Sequence, residues 1–132
     1  MKRMLGVLAV LVAMALAVGV HADDKAMKAA PKASVVKGEL VDMGCYMGHE
    51  ARGEKHKGCA TKCVAGGMPM GLLSADNKLY LLTLNHDNAD PVNQCKDLMA
   101  AQVELTGVVS ERGGMRSIDV TGVKAVATAA AK

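Results

Sequence analysis

The chain has 132 residues, a length that fits one domain, with 16 basic and 13 acidic side chains, ten Met, four Cys, two Tyr and neither Phe nor Trp. Setting aside Lys2 and Arg3 leaves 14 basic against 13 acidic groups, a nearly neutral balance with no electrostatic footprint for phosphates. Stacking platforms for single-stranded nucleic acid are missing too, so nucleic-acid binding is excluded, and Val, Leu, Ile and Met must fill the core.

The first 22 residues read as a secretory signal peptide. Lys2 and Arg3 form a basic n-region, 5–20 is almost wholly apolar, and Val20-His21-Ala22 offers small residues for cleavage. The apolar run is also long enough to serve as an uncleaved membrane tether. No Cys ends that run, so a lipoprotein anchor has no attachment point there. The expectation is a periplasmic or secreted protein, free of the membrane after cleavage. Residues 23–33, rich in Lys, Ala and Asp, read as a flexible linker, and 125–132 as a disordered tail.

Between them lies the folded domain, expected over 34–124. Residues 35–43 alternate, with Val36, Gly38, Leu40 and Asp42 on one face. Residues 54–65 are helix-compatible and stop at Gly66-Gly67. Strands at 70–73 and 79–84 flank an Asp76-Asn77 turn and predict a hairpin. A polar loop follows, then a short helix over 91–100 opened by Pro91. Residues 102–109 place Val103, Leu105 and Gly107 on one face. Gly113-Gly114 then turns the chain into 115–123, where Ile118, Val120 and Gly122 alternate.

The expected class is therefore mainly β: a five-stranded OB-like barrel, with a helical insertion between strands 1 and 2 and a short helix between strands 3 and 4. The segments Gly38-Glu-Leu-Val-Asp-Met-Gly-Cys-Tyr46, Cys59-Ala-Thr-Lys-Cys63, Gly67-Met-Pro-Met-Gly-Leu-Leu73 and Val103-Glu-Leu-Thr-Gly107 resemble small exported bacterial OB-like barrel proteins of no established function. The resemblance spans about residues 35–124 and implies the fold more than an activity, since one barrel hosts many.

Chemistry concentrates between Cys45 and Cys63. On a helix over 54–65, His56, Cys59 and Cys63 share one face, with Cys45 and His49 on a preceding loop that can fold over it. Thiolate and imidazole are ligands for copper and zinc, and thioethers at Met47, Met68 and Met70 favour Cu(I). The candidate ligands are Cys45, Cys59 and Cys63, with His56 or His49. Met99 and Met115 are expected to pack, and His86 to be solvated.

In an antiparallel meander, the connections after strands 1 and 3 leave from one end, so Cys95 is expected near the other three sulfurs. An oxidising compartment makes Cys45, Cys59, Cys63 and Cys95 disulfide candidates. A Cys59–Cys63 bridge is disfavoured because their side chains run parallel on one helix. The Cys-x-x-x-Cys spacing differs from thioredoxin-like motifs, and His49-Glu50 lacks the second His of a metalloprotease pattern, since position 53 is Gly. No nucleophile elbow, phosphate loop or haem attachment is present, so a binding domain is expected rather than an enzyme. The reading is a small exported domain whose Cys/His cluster binds copper or zinc. The alternatives are a disulfide-stabilised interaction module for a protein or small molecule, and a thiol redox partner.

Overall fold

The computed structural model describes residues 32–127. The expected signal peptide, most of the linker and the last five residues of the tail lie outside that range. Five strands, β1 (Ala33–Asp42), β2 (Met70–Ser74), β3 (Leu79–Leu84), β4 (Gln102–Arg112) and β5 (Met115–Ala125), close a barrel in the order β1-β2-β3-β5-β4. Helices α1 (Met43–His49) and α2 (Lys57–Ala65) connect β1 to β2, and α3 (Asp90–Cys95) with a 3-10 turn at Lys96–Leu98 connects β3 to β4. The expected mainly-β barrel and the positions of its helical connections are observed.

Local chemistry sets most of these boundaries. In the β2–β3 hairpin, Asn77 takes φ +57° and the Ser74 hydroxyl donates to the Lys78 carbonyl at 2.9 Å. Gly113 and Gly114 take φ +57° and +79°, the double left-handed turn that matches the twist of β4 and β5. Alternation then fills the interior. Leu40, Leu72, Val103, Leu105, Ile118 and Val120 are fully buried, and Met99 is buried among them.

Barrel closure depends on two close approaches. At Gly38, β1 pairs with both β2 and β4, and a β-carbon there would strike the Leu73 carbonyl oxygen. At Gly107 the β4–β5 ladder shifts register after Thr106, and a β-carbon would strike the Asp119 carbonyl oxygen.

Two expectations about layout are corrected. The sheet is not a simple antiparallel meander: β5 pairs in parallel with β3, Tyr80 opposite Arg116 through Leu84 opposite Val120. Closing a five-stranded ring forces one parallel pair, because an odd number of strands cannot alternate direction all the way round. The segment carrying Cys45 is helical, not a loop. Asp42 caps it at the N-terminus, and Glu50, at φ +54°, ends it with an N–H bond to the Tyr46 carbonyl at 2.8 Å.

Both helical connections leave from one end of the barrel, as β1 and β3 run the same way, and α2 packs against the Lys96–Leu98 turn. Ala60 and Val64 of α2 and Val92, Cys95 and Met99 join a single core that seals this end. No helix among the described residues is long and apolar enough to cross a membrane.

Candidate metal centre

The site forms where β1 gives way to α1 and α2 begins. Asp42, the last residue of β1, is fully buried in phase with Leu40 and Gly38. An acidic side chain on the core face requires partners, and it has two. Its Oδ1 accepts the Cys45 N–H at 2.8 Å, and its Oδ2 lies 3.1 Å from His56 Nε2. One carboxylate thus ties the first turn of α1 to the residue just before α2. Glu39 adds a second tie by accepting the Gly53 N–H.

The far end of α2 is held by backbone bonds. Gly67 takes φ +101°, its N–H reaches the Val64 carbonyl at 3.0 Å, and the Met68 N–H reaches the Cys63 carbonyl at 2.9 Å. This is a Schellman closure, which suits Gly because the left-handed conformation carries no β-carbon penalty. Cys63 is therefore fixed by the turn that follows it, and Cys45 by the cap that precedes it.

These restraints bring three thiols together. Cys63 Sγ stands 3.9 Å from Cys45 Sγ and 4.0 Å from Cys59 Sγ, and all three sulfurs lie within 4.8 Å of one another. Asp42, Cys45 and His56 form a second such group that shares Cys45. The Cys/His/Asp cluster could hold a metal ion. Its donors range from buried Asp42 through half-buried Cys45, Cys63 and His56 to exposed Cys59, so one side opens to solvent.

Charge is distributed unevenly over the cluster. Burial alone would raise the Asp42 carboxyl, but hydrogen bonds from Cys45 and from His56 hold it below the usual carboxylate value. The same carboxylate pushes the Cys45 thiol up to about 12, with burial and Cys63 adding to it. At Cys63 the hydrogen bond from Cys45 lowers the value, but burial and Cys59 outweigh it and the net direction is up. Without an ion, Cys45 and Cys63 are held as thiols at neutral pH. An ion that binds them must displace their protons.

Of the expected site residues, Cys45, Cys59 and Cys63 are brought together, His56 is grouped with Cys45 and Asp42, and His49 and Cys95 are in neither group. His49 ends α1 exposed and belongs to neither group of donors. Cys95 does reach the expected end of the barrel, but its side chain turns inward. It is fully buried, its thiol donates to the Pro91 carbonyl at 3.2 Å, and burial raises it to about 11. The four-sulfur rim is thus reduced to three sulfurs. All four cysteines are free, and the 3.9 Å and 4.0 Å separations are about twice a disulfide bond length of roughly 2.05 Å.

The methionines divide differently from expectation. Met70 is core, Met47 and Met115 are exposed, and Met115 does not pack inside. Met68 lies over α1: a β-carbon at Gly44 would stand 2.6 Å from its methyl and 2.7 Å from its sulfur. Asp42 is the residue that sequence reasoning missed. Its signal was available, an acid alternating in phase with Leu40 three residues before a cysteine. No protein-family model, curated protein or solved structure matches the chain, so its own residues carry the functional argument.

Proposed function

We propose that the domain is an exported, non-enzymatic binder of one soft metal ion, copper as Cu(I) before zinc, held by the thiolates of Cys45, Cys59 and Cys63. The carrying observation is the sulfur triangle. An ion bonded to three sulfurs at about 2.3 Å requires sulfur–sulfur edges of about 4.0 Å in a plane and about 3.8 Å in a tetrahedron. Two edges already measure 3.9 Å and 4.0 Å. Three soft donors within 4.8 Å of one another, two of their edges at the trigonal spacing, suit Cu(I), which needs no fourth ligand, while Zn²⁺ prefers four.

His56, grouped with Cys45 and Asp42, would offer zinc a fourth donor through Nδ1, because its Nε2 is taken by Asp42, the carboxylate behind the ring. The N-terminal signal pattern supports delivery to the periplasm or beyond. The test is an anaerobic competition titration of the reduced protein against a chromophoric chelator, first with Cu(I) and then with Zn²⁺. One tightly held ion per chain is expected, with affinity weakened in Cys45→Ser, Cys59→Ser and Cys63→Ser, and with His56→Ala weakening zinc more than copper. Failure to compete for either ion, or serine variants that bind like wild type, overturns the proposal.

A further inference from the structure

Resting on that reading, we propose that Cys45 and Cys63 are an oxidation site that releases the ion: a low-molecular-weight disulfide converts the two thiols into one internal bond and dismantles the sulfur triangle. Cys63 touches both other sulfurs, yet its two neighbours are not equivalent. Cys59 and Cys63 project in parallel from successive turns of α2, a poor geometry for a bond. Cys45 approaches from a separate helix, α1, with its sulfur 3.9 Å away.

The two helices also differ in how firmly they are held. Helix α2 is anchored by buried Ala60 and Val64 and by its Schellman closure. Helix α1 has seven residues, none of them buried, and two are Gly44 and Gly48. Bond formation requires the sulfurs to close by about 1.9 Å, the gap between their separation and a disulfide length. Helix α1, with no buried side chain behind the cap that holds its first turn, can supply that movement. Exposed Cys59 is left as a thiol, as is buried Cys95.

The reaction balances without further reagents. Cys45 and Cys63 together lose two electrons, and the incoming disulfide accepts them, breaking its own sulfur–sulfur bond to leave as two thiols. The two protons come from the cysteines, or from solvent where the ion has already displaced them. The ion departs in the oxidation state in which it was bound. One remaining thiolate and His56 cannot replace two lost sulfur ligands.

Each cysteine lies on its own tryptic peptide, 38–52, 58–62, 63–78 and 79–96, so the product can be mapped unambiguously. The reduced full chain is loaded with one equivalent of Zn²⁺, a redox-inert probe, and exposed to oxidised glutathione. Zinc release is followed with a chromophoric chelator and the disulfides by peptide mass. The expected result is a cross-link between peptides 38–52 and 63–78, one zinc freed per bond, and full reversal by dithiothreitol. Cys59→Ser should still form the bond, whereas Cys45→Ser and Cys63→Ser should not. A Cys59–Cys63 bond, a glutathione adduct on Cys59 alone, or the expected bond with zinc retained overturns the release mechanism while leaving metal binding intact. A Cys45–Cys63 bond in a protein that never took up zinc overturns it through failure of the metal-binding reading.

Discussion

Replacing Asp42 with Ala and with Asn separates the two tasks of this buried carboxylate. In Asp42→Ala the first turn of α1 loses its cap, a loss of about 1 kcal/mol. The His56 ring nitrogen loses its acceptor as well, and a part-buried group left unpaired costs about 1–3 kcal/mol. The expected total is about 2–4 kcal/mol, on the order of 10–20 °C in Tm for a domain of this size. Asp42→Asn keeps an oxygen for the Cys45 N–H and an amide group beside His56. It should cost about 1 kcal/mol or less, because Asn caps helices as well as Asp does. Its effect should fall on the ion instead, with affinity down about 10- to 100-fold, the usual consequence of losing the partner behind a ligand. Urea denaturation of the ion-free protein measures the first quantity, and competition titration the second. Equal destabilisation by Ala and Asn, or an Asn variant with wild-type ion affinity, would refute the division of labour assigned to Asp42.

Other perturbations address other parts of the structure. His49→Ala should leave ion affinity unchanged, since His49 stands apart from the donor groups, and the same titration checks it. Met99→Ala should cost about 2–5 kcal/mol in chemical denaturation, because its fully buried side chain leaves a cavity in the core. Stability should also depend on pH at both extremes. Asp42 has a folded value below its unfolded 3.8, so its contribution is whole above that pH and lost as pH falls through the lower folded value. Cys45 and Cys95 are raised from 9.0 to about 12 and about 11, so their contributions are whole below pH 9 and lost as pH climbs through the folded values. Denaturation midpoints across pH should therefore fall at both ends, with the acid limb flattened in Asp42→Asn and the alkaline limb in Cys95→Val.

The parts of the fold that were legible in the sequence are those governed by neighbours along the chain. Alternation in β4 and β5 places Val103, Leu105, Ile118 and Val120 inside, and Asn77 and Gly113-Gly114 mark the two tight turns. The stop after α2 is equally local, because Gly66-Gly67 supplies the Schellman closure. The parallel β3–β5 pair was not legible, since it joins segments more than 30 residues apart through ring closure rather than through any local pattern. Helix α1 was hidden by its glycines, which lower intrinsic helix propensity. A buried cap, not propensity, holds it.

The candidate site was legible in part for the same reason. Spacing alone puts His56, Cys59 and Cys63 on one side of a helix, whereas the turn of α1 decides that Cys45 joins them and His49 does not. Topology places Cys95 at the correct end of the barrel. Side-chain direction then settles the matter differently, because a thiol three residues after Val92 on α3 packs into the core as a small apolar group. Asp42 was read only as one member of an alternating strand. Its role rests on tertiary contacts to Cys45 and His56 that no single periodicity encodes.

X-ray absorption of the Cu(I)-loaded protein tests the convergence of Cys45, Cys59 and Cys63 on one ion most directly. Three sulfur scatterers at about 2.3 Å are expected, falling to two in Cys59→Ser. A first shell made of nitrogen and oxygen, or one whose sulfur count is indifferent to Cys59→Ser, would contradict it.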